Sequence, residues 1–186
     1  MLSYELDIKG MKRNLPICRV TGDVYIAAFV IFGDVELTVH CAAELLKLAP
    51  EYDYLIAPEA KSIPLLYEMT RQSGENKYFV ARKSPKLYMN GVFEVAVKSI
   101  TTGREQRLVL DKADAVKMKE KRILIIDDVI STGESLKATE ELVRQAGGIV
   151  AGRMAVIAEG EAMKRDDIIH LAKLPLFNAD GSPKGD

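Results

Sequence analysis

One segment constrains the fold of this chain more than any other: RILIIDDVISTGESLKATEELVRQAGG, Arg122 to Gly148. The apolar run RILII is of strand length. The apolar positions Leu136, Leu142, Val143 and Ala146 share one face of a helix predicted from about Glu134 to Ala146, and Gly147-Gly148 end it. Between them stand two adjacent acids, Asp127 and Asp128, and a small-residue turn, Ser131-Thr132-Gly133. A buried strand running through a short loop into an amphipathic helix is half of a parallel crossover unit, which needs a sheet with helices packed on it.

The rest of the chain repeats that alternation. DVYIAAFVIFG reads as a strand closed by Gly33, and Asp34 caps a helix to about Ala49, with Val35, Ala42, Leu45, Leu46 and Ala49 on its apolar face and Pro50 ending it. YDYLIAP, KYFVARK and GRMAVIA read as further strands, and a second helix is predicted from about Ile63 to Ser73, stopped by Gly74. GVFEVAVKSI and RLVL, joined by the polar TTGREQ, suggest a hairpin. The fold class is therefore α/β, a mainly parallel sheet flanked by helices on both faces. No repeat or low-complexity linker divides the 186 residues, so one domain spanning 1–186 is expected, with the turn-rich tail 178–186 loose.

The net charge of −1 gives no global basic field, so neither nucleic acid nor an anionic membrane is an expected partner. The longest apolar run, VYIAAFVIF, is far short of the roughly 20 residues a membrane span needs, and MLSYELDIKGMKRNLP has no apolar core of signal-peptide length. Cys18 and Cys41 have no C-x-x-C spacing and read as reduced, partly buried thiols. A cytoplasmic location is expected.

In parallel sheets, ligands bind beyond the carboxyl ends of the strands, and three polar loops fall there: DDVISTGES, PEAKS and ARKSPK. In the first, the hydroxyls of Ser131, Thr132 and Ser135, the tight turn at Gly133 and the free N–H groups of the following helix suit a phosphate. A phosphate is repelled by two carboxylates, so Asp127 and Asp128 must serve another part of the same ligand. The vicinal hydroxyls of a ribose fit, since carboxylate oxygens accept from them. Opposite a sugar phosphate, Arg82, Lys83 and Lys86 form a natural diphosphate clamp, and Lys61 and Ser62 add to it.

With these motifs in place, ILIIDDVISTG resembles the phosphoribosyl-pyrophosphate (PRPP) signature of type I phosphoribosyltransferases. PEAKSIPLLYEM is similar to the pyrophosphate loop of the adenine members, usually Glu-Ala-Arg-Gly, with Lys61 and Ser62 in the Arg and Gly places. ARKSPKL resembles their Arg-Lys-Pro-Gly-Lys-Leu, matching Arg82, Lys83, Lys86 and Leu87. The resemblance runs from about residue 54 to 158; the first 50 residues match only loosely.

The resemblance implies transfer of a 5-phosphoribosyl group from PRPP to a purine base, adenine favoured, in purine salvage. It implies Asp127, Asp128 and Lys83 as catalytic residues, and Mg²⁺ as cofactor, with Asp127 and Asp128 on the metal or the ribose hydroxyls. Ser131, Thr132, Gly133, Glu134 and Ser135 would form the 5′-phosphate loop, with the Glu134 side chain turned away. Ala60, Lys61, Ser62, Arg82, Lys83 and Lys86 would bind pyrophosphate, with a non-proline cis peptide in the Ala60-Lys61-Ser62 turn. SITTGREQRLVL takes the place of a mobile catalytic loop, a hood would come from about 1–30, and a homodimer is expected. Glu159 and Val129, on the rim, are the candidates for the base side.

This chain departs from the adenine pattern in two places. Adenine members commonly read Thr-Gly-Gly-Thr where this chain has Thr132-Gly133-Glu134-Ser135, and xanthine members carry Glu or Gln at that place. Their catalytic-loop Glu has no clear counterpart, for Val109 stands near its position and Glu105 is the substitute candidate. Xanthine or hypoxanthine/guanine transfer therefore stays open, as does a PRPP-sensing regulatory protein of the same fold, which salt-dependent nucleic-acid binding would reveal. The second acid pair, Asp166-Asp167, reads as a solvated helix start, His40 and His170 as structural or surface residues, and Tyr25, Phe29 and Phe32 as core.

Overall fold

A computed structural model describes residues 2–98 and 105–184. The chain opens with an antiparallel sheet of β1 (Ser3–Ile8), β2 (Met11–Thr21) and β3 (Val24–Ala27), followed by α1 (Val35–Leu48). Next come β4 (Tyr54–Pro58), α2 (Ile63–Gln72), β5 (Tyr78–Ala81), the hairpin β6 (Val92–Lys98) and β7 (Glu105–Asp111), and the short α3 (Lys112–Lys117). β8 (Arg122–Ile130), α4 (Glu134–Gln145), β9 (Ile149–Glu159), a 3₁₀ turn (Gly160–Lys164) and β10 (Ile169–Leu174) complete it. The main sheet has the order β10-β9-β8-β4-β5, and all four pairings are parallel.

The continuous apolar runs of the central strands follow from burial on two faces. Leu55, Ala57, Leu124, Ile126, Met154 and Val156 pack on one side in a core shared with Leu37 and Leu45 of α1 and Leu65 and Met69 of α2. Their alternates Ile56, Ile123, Ile125 and Ala155 pack on the other with Leu136, Leu142 and Val143 of α4 and with Val95, Leu108 and Leu110 of the hairpin. The expected parallel sheet, its covering helices and the hairpin are all present.

Four elements differ from the sequence expectation. The strand expected to run to Phe32 ends at Ala27, with one further backbone bond from Ala28 N–H to Pro16 O at 2.9 Å. Beyond it Phe29 and Ile31 are buried but Val30 and Phe32 are exposed, so the segment fills the core as an unpaired lead-in to α1. Phe32 is therefore a surface residue, 49% exposed, whereas Phe29 is core and Tyr25 packs against it. The charged stretch around Asp166-Asp167 is a bend leading into β10, where a helix was expected. Two paired strands, β1 and β2, occupy the N-terminal region that gave no clear element signal. The tail is tied down through residue 184: Phe177 exchanges backbone hydrogen bonds with Tyr25 at 2.8 and 3.1 Å, and Lys184 N–H donates to Leu176 O at 2.7 Å.

Both cysteines are free; Cys41 is buried, but Cys18 is exposed rather than partly covered. His40 lies 2.8 Å from the Ile8 carbonyl, a structural contact. Among the described residues no helix is long and apolar enough to cross a membrane.

Candidate active site

The site grows from the carboxyl ends of β4 and β8, neighbours in the sheet. β8 carries Asp127 and Asp128 in its last turns of pleat, both buried. β4 ends at Pro58, and its loop delivers Ser62 to the acids: the hydroxyl donates to Asp127 Oδ1 at 2.5 Å, and Asp128 N–H donates to Ser62 Oγ at 3.2 Å and to Asp127 Oδ1 at 2.9 Å. Lys61 Nζ stands 3.3 Å from Asp128 Oδ2, an oxygen that is buried yet accepts no hydrogen bond of good geometry. Burial pushes the Asp127 carboxyl up to about 7, with the neighbouring Asp128 charge adding to the effect and the Ser62 hydroxyl opposing it. Asp127 thus sits where its charge is costly until something positive arrives.

After β8 the chain enters the loop expected to bind an anion. Asp127, Val129 and residues 130–136 line a cavity of about 140 Å³. Gly133 adopts φ +76°, a left-handed conformation that glycine takes without strain, and it starts α4 with no side chain capping the helix. A helix start without a side-chain cap can bond a ligand. Glu159 is buried at the end of β9; burial raises its pKa, while the nearby Ser131 hydroxyl and the Lys61 charge oppose the shift. The acid pair, the 131–135 loop and the end of β9 lie together at one edge of the sheet.

The basic loop is joined to this centre by a residue the sequence reading passed over. The Glu59 carboxylate accepts from Lys83 N–H at 3.0 Å and from Arg82 Nε at 3.0 Å, so it clasps the ARKSPK loop to the PEAKS loop. Those contacts hold its pKa low, the Lys83 N–H foremost. Arg82 also donates to the Tyr88 hydroxyl at 2.9 Å, and Lys86 Nζ to Ser84 Oγ at 3.1 Å. The Lys83 side chain is exposed beside them. The one signal for Glu59 was its place between Pro58 and Ala60 in a loop already selected for its chemistry. The non-proline cis bond is Glu59–Ala60, one step ahead of the Ala60-Lys61-Ser62 turn where it was expected.

Val109 is fully buried and exchanges backbone hydrogen bonds with Arg82 at 2.9 and 2.8 Å. This docks the hairpin β6–β7 against the basic loop and makes Val109 a packing residue. The turn of SITTGREQ falls mostly outside the described residues, as does the Glu105 side chain.

The sequence matches the family model of the phosphoribosyl transferase domain over residues 40–175, a span containing all three loops. The chain belongs to this family. It is 26% identical over 159 residues to the adenine phosphoribosyltransferase of Kosmotoga olearia, covering 82% of this chain and 87% of that one. Xanthine phosphoribosyltransferase 1 of Clostridium botulinum is 35% identical over 103 residues, 51% of this chain and 53% of that one. The crystal structure of adenine phosphoribosyltransferase from Thermoanaerobacter pseudethanolicus superposes with a TM-score of 0.64 at 25% identity, covering 77% of this chain and 84% of that one. As a phosphoribosyltransferase, the chain carries its buried acids, glycine turn and basic loops at the carboxyl edge of the sheet.

Proposed function

We propose that this phosphoribosyltransferase transfers the 5-phosphoribosyl group of PRPP to a purine base, adenine favoured, releasing pyrophosphate. One observation carries the reading: two buried carboxylates stand beside a small cavity at an uncapped helix start and beside basic side chains, an arrangement complementary to the phosphate, hydroxyls and pyrophosphate of PRPP. Asp127 and Asp128 accept the ribose hydroxyls, residues 131–135 hold the 5′-phosphate, and Lys61, Arg82, Lys83 and Lys86 take the pyrophosphate. As the C1–O bond to pyrophosphate breaks, the electron pair leaves with the oxygen, a base nitrogen forms the new C1–N bond, and the proton of the purine N–H is lost to water or to the departing pyrophosphate. The clamp residues stabilise the charge that develops on the departing group.

The donor set suits magnesium. Two carboxylates are available, one with an oxygen that accepts no hydrogen bond, and Mg²⁺ is commonly held by one or two carboxylates with substrate phosphates and water. Asp127 and Asp128 would hold it, and it supplies Lewis-acid stabilisation of the leaving group when bound. Glu159 and Val129 face the base. A cytoplasmic homodimer acting in purine salvage completes the reading.

The test is a turnover assay with PRPP, Mg²⁺ and each of adenine, hypoxanthine, guanine, xanthine, orotate and uracil. Adenine is expected to give the fastest nucleotide formation. Xanthine belongs in the panel because Glu134 matches the xanthine pattern. No product from any base rejects the enzymatic reading.

A further inference from the structure

The 5′-phosphate cavity poses a charge problem. Among the described residues its lining includes Asp127, with Asp128 and Glu159 close by, and holds neither Lys nor Arg. Lys61 is already paired with Asp128. A helix N-terminus offers the equivalent of roughly half a positive charge, too little to balance a phosphate dianion beside such acids.

A second cation, likewise paired with an acid but with one guanidinium edge to spare, lies against the turn. A Cβ built on Gly133 would meet Nη1 of Arg165 at 2.8 Å, so the guanidinium occupies the space beside this glycine. Arg165 comes from the segment between β9 and β10, far from the loop in sequence. Its Nε and Nη2 form a fork on the Asp167 carboxylate at 2.8 and 2.7 Å, which leaves Nη1 as the edge turned to the loop. Asp167 is itself 3.6 Å from Arg153, and Arg153 pairs with the buried Glu140 of α4. The helix that begins at the phosphate loop is thereby fastened to the strap that carries Arg165.

We infer that Arg165, aimed by Asp167 against Gly133, is the cation of the 5′-phosphate loop, supplying the charge for a sugar 5′-phosphate that the loop residues lack. This rests on the PRPP reading of the site. It also gives Gly133 a second reason to be glycine: any side chain would displace the guanidinium.

The test separates the two halves of the substrate. Binding of ribose 5-phosphate and of pyrophosphate, each with Mg²⁺, is measured calorimetrically on the wild-type chain and on Arg165→Gln, Arg165→Lys and Asp167→Asn. The expected result is a loss of about tenfold or more in ribose 5-phosphate affinity for Arg165→Gln, the scale of one charge-assisted contact. Arg165→Lys should recover part of it, Asp167→Asn should show an intermediate loss, and pyrophosphate affinity should hold within about twofold throughout. An unchanged ribose 5-phosphate affinity in Arg165→Gln overturns the inference, and so does an equal loss for both ligands, which marks a purely structural role. A wild-type chain that binds neither ligand nor PRPP overturns the site reading, and the inference with it. If Arg165→Gln does not fold, Arg165→Lys and Asp167→Asn decide by the same comparison of ligands.

Discussion

Asp127 is held in a state that suits a ligand better than it suits the empty protein. Its folded pKa is raised above the unfolded value of 3.8, chiefly by burial. A raised carboxyl favours the folded state most below the unfolded pKa, and that advantage disappears as pH climbs through about 7. The ligand-free protein should therefore lose stability as pH rises from 4 to 7. Asp127→Asn should remove that share of the pH dependence and be the more stable form at pH 8. Denaturant midpoints of both proteins across the range check it; parallel curves would exclude the burial argument. The same residue in the presence of PRPP and Mg²⁺ should stay ionised, at a higher affinity when pH is raised from 6 to 8. The acid pair was legible in the sequence because adjacent carboxylates are conspicuous. Glu59 and Arg165 were not, since each acts through a partner distant in sequence, on Lys83 and beside Gly133 respectively.

At the level of elements, the helices divide by how they start. α1 begins on the Asp34 side chain, which accepts from Leu37 N–H at 3.0 Å and is gripped by Arg13 at 2.7 and 3.1 Å. α2 and α4 begin at the site, and neither has a side-chain cap. Caps were kept where only stability is at stake and left off where a ligand can bond the helix start. Asp34→Ala should thus cost about 1–2 kcal/mol in denaturant unfolding while leaving the PRPP KM within about twofold. A large rise in KM would place α1 in the site and contradict this division.

β8 and α4 were readable because two-faced burial and helical periodicity both leave strong patterns. β10 was not: its sequence IHLAKL follows a charged stretch and reads equally as helix, and only parallel pairing with β9 makes it a strand. β1 and β2 hid for a related reason, being mixed in polarity with only Leu6, Ile8 and Leu15 fully buried. The overlong strand at 23–33 shows the reverse case, where an apolar run marks burial without pairing.

For the molecule as a whole, the parallel sheet explains why one edge collects the chemistry. β4, β5, β8 and β9 all run the same way, so the loops at 59–62, 82–86 and 131–135 and Glu159 gather at the same end. The hairpin β6–β7 is docked beside them through Val109 and Arg82, and the N-terminal sheet is joined to the tail at Tyr25 and Phe177. On the proposed reading this edge grips PRPP through the ribose, with Asp128 as one of its two carboxylates. Titration of PRPP with Mg²⁺ into the wild-type chain and into Asp128→Asn, with the fold of each verified by circular dichroism, tests it most directly. The wild type should bind PRPP and the variant should lose about tenfold or more in affinity with its fold intact; equal PRPP affinity in the two proteins would rule out the ribose assignment.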